Sequence, residues 1–282
     1  MADILKRGDR ACIMQRHNKS NHLAHLLGLF NDLLPEKEVD SDKNLIDSES
    51  RDINENVAAK KDLDLVDFIE FTSSSAKAPI KILNYFKIDP LEFEKHFGFA
   101  KLYSKYFHRS FPVEIGEKYT DRDWRQEIMS FGEFYDTYSQ SESKAAYIAQ
   151  YNIFQTLPEL ATNLIVPEYC LIGSNEIEIN FWIGLSKTIT PFHFDKKDNI
   201  FYQLVGQKYL ILIAPEEFPF PLAAGFTNTS DIDLKTVIES KTNLKTFAEV
   251  LLKPGEILYI PKGWWHYCES LSKQSISVSC WF

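Results

Sequence analysis

The sequence predicts a mainly β fold with flanking helices. Five stretches, 177–183, 199–205, 207–213, 256–260 and 275–282, show strand-like apolar alternation and are rich in β-branched and aromatic residues. Helix-start signals gather ahead of them. A content of 44% hydrophobic and 14% aromatic residues over 282 positions suffices for one full core plus an appendage.

At the N-terminal end, apolar residues at 23, 26, 27, 30, 33 and 34 predict a helix, with Asn21 as N-cap and Pro35 as terminator, inside a helical segment 1–35. Cys12, His17, His22 and His25 surround it, but their spacing matches no standard zinc site. Residues 31–70 carry thirteen Asp or Glu against five Lys or Arg, nearly the whole net charge of −9. We therefore read 36–75 as a flexible acidic linker, either a surface for a basic, arginine-bearing partner or a solvated tether. The main domain then begins at 76, with a helical and strand lead-in over 76–143 and a β-barrel core over 144–282. Asp89-Pro90-Leu91-Glu92 opens a helix that runs to Gly98, and Ser130-Phe131-Gly132-Glu133 is a capping box opening a second one through Tyr138.

The chemistry concentrates in the core. After His108 the remaining 174 residues hold two histidines, His193 and His266. His193-Phe194-Asp195 lies on an expected strand, where residues two apart share a face, so that both side chains reach one metal while Phe194 points away. His266 follows a turn, a strand and a second turn that return the chain toward the same place. Two imidazoles and one carboxylate form the facial set that holds non-heme Fe(II) with open positions. Zinc accepts the same ligands, but the helical H-E-x-x-H of zincins is absent.

From Ala78 to Phe282 the chain resembles JmjC (jumonji C) oxygenases, and among them the arginyl-hydroxylase subgroup of jumonji-domain protein five. The resemblance is carried by Phe111–Gly116 with Tyr119–Trp124, Tyr147–Gln150, Trp182–Asp195, Asn199–Tyr209, Pro254–Pro261 and Trp265–Tyr267. It implies a double-stranded β-helix core of the jelly-roll, cupin-like kind. It also implies that His193, Asp195 and His266 bind Fe(II) and act as the catalytic centre, and that Lys208 anchors the distal carboxylate of 2-oxoglutarate. Tyr147, Thr190 and Asn199 match positions that hydrogen-bond this cosubstrate, and Trp182 matches one lining its pocket. Thr190 stands where the subgroup carries serine, and either residue offers a hydroxyl. Glu114 and Trp124 match the pair that grips a target guanidinium, a group suited to a carboxylate and an aromatic face.

The expected activity is dioxygen-dependent hydroxylation of a protein side chain, arginine first, with release of succinate and CO2. Methyl-lysine demethylation, hydroxylation of a tRNA base and a non-catalytic cupin-like binding role are the alternatives. The acidic balance and the lack of a basic stripe argue against nucleic acid. Cys12, Cys170, Cys268 and Cys280 form no regular framework, and no secretory h-region or long apolar span occurs. A reduced, soluble, intracellular protein, nuclear or cytoplasmic, is expected, with a basic protein as partner.

Overall fold

The computed structural model describes residues 53–74, 77–141, 145–173, 176–185 and 187–282. The expected helix at 22–34 and residues 36–52 of the acidic stretch lie outside them. In chain order the first elements are β1 (Ala58–Lys61), α1 (Leu65–Thr72), β2 (Ile80–Leu83), α2 (Leu91–Phe97), α3 (Phe99–Tyr106), β3 (Ser110–Ile115), β4 (Arg125–Ser130), α4 (Phe131–Tyr138) and β5 (Ala146–Tyr151). Then follow β6 (Glu178–Leu185), β7 (Ile189–His193), β8 (Asn199–Val205), β9 (Lys208–Ile213), α5 (Leu234–Ser240), β10 (Ala248–Leu252), β11 (Ile257–Ile260), β12 (Trp265–Ser270) and β13 (Gln274–Trp281).

These strands build two sheets, one of nine strands in the order β1-β2-β11-β8-β13-β6-β5-β3-β4 and one of four in the order β10-β9-β12-β7. Side chains two apart on a strand share a face, and that alternation sorts the core into three layers. On β9, Leu210 and Leu212 face Trp182, Phe201, Leu258 and Ile260 of the large sheet, whereas Tyr209, Ile211 and Ile213 pack outward with Phe192 and Val237. The outer face of the large sheet buries Ile183, Tyr202, Tyr259 and Val278 under the aromatic side chains of α1 to α4. Both sheets are thus covered on both faces, and for that reason β8 and β9 read as continuous apolar runs.

Most expected elements form within two residues of their predicted ends. The Ser130 hydroxyl accepts the Glu133 N–H at 3.1 Å, capping α4 as its sequence dictates. Gly98 ends α2 and at once serves as the N-cap of α3, so it is a joint between two helices. Two expectations are corrected. The acidic stretch assigned to a linker carries β1 and α1 over 58–72; Phe68 of α1 is fully buried against Tyr169 and Tyr259, a contact that stabilises by about 2–3 kcal/mol. The boundary drawn between a lead-in and a core near 144 is also crossed, since β3 pairs with β5 inside the large sheet.

Candidate metal centre

The three ligand candidates converge at one end of the space between the sheets. Among the described residues, ligand atoms of His193, Asp195 and His266 all lie within 4.8 Å of one another. His193 ends β7 and pairs with His266 on β12, their rings 4.1 Å apart. Each imidazole makes the same local bond: Nδ1 of His193 lies 2.9 Å from the Pro191 carbonyl, and Nδ1 of His266 lies 3.0 Å from the Trp264 carbonyl. A carbonyl only accepts, so Nδ1 carries the hydrogen and Nε2 keeps its lone pair for a metal.

Asp195 arrives differently from the expectation. The strand stops at His193, and Asp195 sits in the following turn, with a carboxylate oxygen 3.7 Å from Nε2 of His266. That turn is clamped on both sides. The Phe194 N–H donates to the Asn228 carbonyl at 3.1 Å, and the Gly263 N–H donates to the Asp195 carbonyl at 2.8 Å. Gly263 takes φ +83°, a conformation that disfavours a side chain. Phe194 points away, edge-on to Trp265.

The triad opens into a cavity that Lys208, Tyr147, Thr190, Asn199 and Trp182 also line. Lys208 is 1% exposed. Its ammonium donates to the Tyr147 hydroxyl at 2.7 Å and lies over the rings of Tyr147, Phe201 and Trp182 at 5.3, 5.4 and 5.9 Å. Burial lowers its pKa to about 8, the nearby Cys268 acting the other way. Among the described residues no carboxylate pairs with Lys208, and the buried Asn199 Oδ1 has no hydrogen-bond partner. Tyr147 can lie across the sheet because residue 184 is glycine, where a Cβ would stand 3.1 Å from the tyrosine ring. The donor set suits a divalent transition metal, and the unmatched ammonium suits an anionic ligand beside it.

Glu114 and Trp124 meet one another outside this lining: Trp124 Nε1 donates to Glu114 Oε2 at 3.4 Å. The loop between them is tied to the metal end. The Ile189 N–H donates to the Glu117 carbonyl at 3.1 Å, and the Tyr119 hydroxyl bonds Thr229 Oγ1 at 3.1 Å, with Thr229 bridged to His193. Four further lining residues, Phe201, Ile260, Cys268 and Trp281, escaped the sequence reading. Alternation would have found two of them, since Phe201 lies two beyond Asn199 and Cys268 two beyond His266.

Among the described residues no helix is long and apolar enough to cross a membrane. A family described as a cupin-like domain matches residues 19–282. The chain is 36% identical over 184 residues to lysine-specific demethylase 8 of Xenopus tropicalis, covering 62% of this chain and 41% of that protein. It is 37% identical over 186 residues to lysine-specific demethylase JMJ30 of Arabidopsis thaliana, covering 62% and 43%. To Jumonji C domain-containing protein 5 of Drosophila melanogaster it is 33% identical over 190 residues, covering 62% and 47%. The chain spans less than half the length of each of these relatives. The two-sheet fold, the His-Asp-His cluster between the sheets and the match over nearly all of its length agree, and the chain belongs to the cupin-like family, among its JmjC proteins.

Proposed function

We propose that this chain is an Fe(II)- and 2-oxoglutarate-dependent oxygenase that hydroxylates a protein side chain, arginine before lysine. The observation that carries the reading is one cavity holding both a two-histidine, one-carboxylate cluster and a fully buried ammonium with no counter-ion among the described residues. His193, Asp195 and His266 would hold the iron. When bound, iron with 2-oxoglutarate and dioxygen supplies oxidation of a C–H bond, coupled to conversion of the oxo acid to succinate and CO2.

The residues themselves bind, orient and exclude water. The carbonyls of Pro191 and Trp264 fix both imidazoles in the tautomer that offers Nε2. Lys208, with the Tyr147 hydroxyl beside it, takes the far carboxylate of the cosubstrate, and the anion offsets the cost of burying the ammonium. Thr190 and Asn199 add polar contacts along the cosubstrate, while Trp182, Phe201 and Ile260 keep the space dry. Glu114 and Trp124 offer a carboxylate beside an indole; their mutual bond is long at 3.4 Å, and a bidentate guanidinium competes well for such a carboxylate. A basic protein segment is the expected substrate.

The second reading is removal of a methyl group from lysine by the same oxidation, favoured by the two relatives named lysine-specific demethylases. Purified protein with Fe(II), ascorbate and 2-oxoglutarate is expected to release succinate, faster with a basic arginine-containing peptide. Mass spectrometry should find one added oxygen on arginine. Loss of a methyl group from lysine would select the second reading, and no succinate above a His193→Ala control with iron bound would exclude both. Glu114→Ala should weaken peptide-stimulated turnover more than peptide-independent turnover; equal loss of both would remove Glu114 from substrate binding.

A further inference from the structure

Pro261-Lys262-Gly263-Trp264 is a four-residue turn between β11 and β12, closed by the Trp264 N–H donating to the Pro261 carbonyl at 3.2 Å. Its third residue, Gly263, has the positive φ that such turns reserve for glycine, and the amides of Lys262 and Gly263 take no part in the closing bond. Both amides are taken by the loop between β7 and β8. The Gly263 N–H donates to the Asp195 carbonyl at 2.8 Å, and the Lys262 N–H donates to Asp198 Oδ1 at 2.8 Å. One of these docked segments carries Asp195, and the other leads to the Trp264 carbonyl that orients His266. Asp198 gathers further partners. The Tyr259 hydroxyl donates to Oδ1 at 3.2 Å, the Lys77 ammonium bonds Oδ2 at 3.0 Å, and the Phe282 N–H donates to the Asp198 carbonyl at 3.1 Å. The Lys77 carbonyl in turn accepts the Trp264 indole N–H at 3.1 Å, which closes a ring of contacts around the turn. The Asp198 side chain is 15% exposed and stays outside the cavity lining.

We infer that Asp198 is a positioning residue for the metal centre; this rests on the metal-binding reading above. It acts through the Lys262 amide, holding the 261–264 turn against the loop that carries Asp195. The need for it follows from where the strand ends. Sheet pairing sets His193 and His266, but β7 stops at His193, so no ladder places Asp195. The bond from Gly263 to Asp195 does that instead, and it holds only while the turn is kept in place. An ionised carboxylate accepting a backbone N–H makes a short, strong bond, and its geometry fixes the turn. Groups of this kind, one step beyond the ligands, set metal affinity through the orientation they impose. The position of the accepting oxygen is what counts, whereas the charge serves the ion pair with Lys77.

The test is Mn(II) titration, followed by electron paramagnetic resonance, of the wild-type chain and of Asp198→Ala, Asp198→Asn and Asp198→Glu, beside a melting curve of each. Asp198→Ala removes the oxygen and is expected to weaken Mn(II) binding about tenfold. Asp198→Asn keeps an oxygen for the Lys262 N–H but loses the ion pair, so it should melt lower yet bind Mn(II) within about threefold of wild type. Asp198→Glu keeps the charge but displaces the oxygen by one methylene, and should weaken Mn(II) as the Ala variant does. Wild-type affinity in the Ala or Glu variant overturns the assignment. So does an Asn variant as weak as Ala, which would trace the effect to charge, and so does an affinity that merely follows the melting temperature across the series. If the Ala variant does not fold, the contrast between Asn and Glu decides the same question. A wild-type chain that binds no Mn(II) would sink the metal reading itself, and this assignment with it.

Discussion

The two sheets that enclose the cavity contribute different chemistry. The four-stranded sheet supplies His193 from β7, Lys208 from β9 and His266 from β12, with Asp195 in the turn after β7. The nine-stranded sheet supplies Tyr147, Trp182, Asn199, Phe201, Ile260 and Trp281, none of them charged. Metal ligands need fixed orientation, and the small sheet gives it locally: each histidine is held by the carbonyl two residues before it. The large sheet gives shape, dryness and neutral donors. Charge placement and ligand fit therefore vary separately, and substitutions on the two sheets should differ in kind.

The largest expected effect lies on the small sheet. His193→Ala or His266→Ala removes a ligand and should weaken Mn(II) binding on the order of a hundredfold or more, with turnover at background. Phe201→Leu, on the opposite wall, should leave the Mn(II) affinity within a few fold. If the Leu variant loses metal as fully as the Ala variants, in titrations followed by electron paramagnetic resonance, the division between the sheets is wrong.

Lys208 gives the next effect, and its sign is informative. Its pKa is lowered from 10.5 to about 8 by burial, so between these values the unfolded chain holds a proton that the folded chain has lost. The Lys208 contribution to the stability of the ligand-free protein should rise as pH climbs from about 8 to 10.5, by roughly 3 kcal/mol, and is read as the difference from Lys208→Met, because buried thiols such as Cys268, whose pKa is raised, act in the opposite direction. Lys208→Met should lack that rise, melt higher than wild type near pH 7, and bind 2-oxoglutarate roughly 100-fold more weakly. An anion favours the ammonium, so wild-type affinity for 2-oxoglutarate should fall as pH rises above about 8. A Met variant that is less stable at pH 7 would show that Lys208 is structurally paired.

Much of this was legible in the sequence because it is local. The His193-Phe194-Asp195 spacing, the isolation of His266 and the apolar run around Lys208 all fall within short windows. Alternation extends the strand to Asp195, because it cannot reveal that pairing stops at His193, where the loop around Asn228 and Thr229 takes over. Trp281 is invisible to such windows because its place in the lining follows from its register opposite Asn199, 82 positions away. Around 58–72 a count of charges outweighed Leu63, Leu65, Phe68 and Phe71, four apolar residues that pack against the core.

The smallest effect probes the large sheet alone. Trp182 caps the Lys208 ammonium at 5.9 Å and donates Nε1–H to Ser279 Oγ at 3.0 Å, a diagonal bond between β6 and β13. Trp182→Phe keeps an aromatic face over the lysine and loses that bond, a cost of about 1 kcal/mol that lowers the melting temperature by about 2–4 °C. The serine hydroxyl can turn to another acceptor, which limits the penalty. Affinity for 2-oxoglutarate should stay within threefold, because the charge that holds the far carboxylate comes from the other sheet. A loss approaching that of Lys208→Met would mean that the ring positions the ammonium, and the two sheets would then share the recognition of charge.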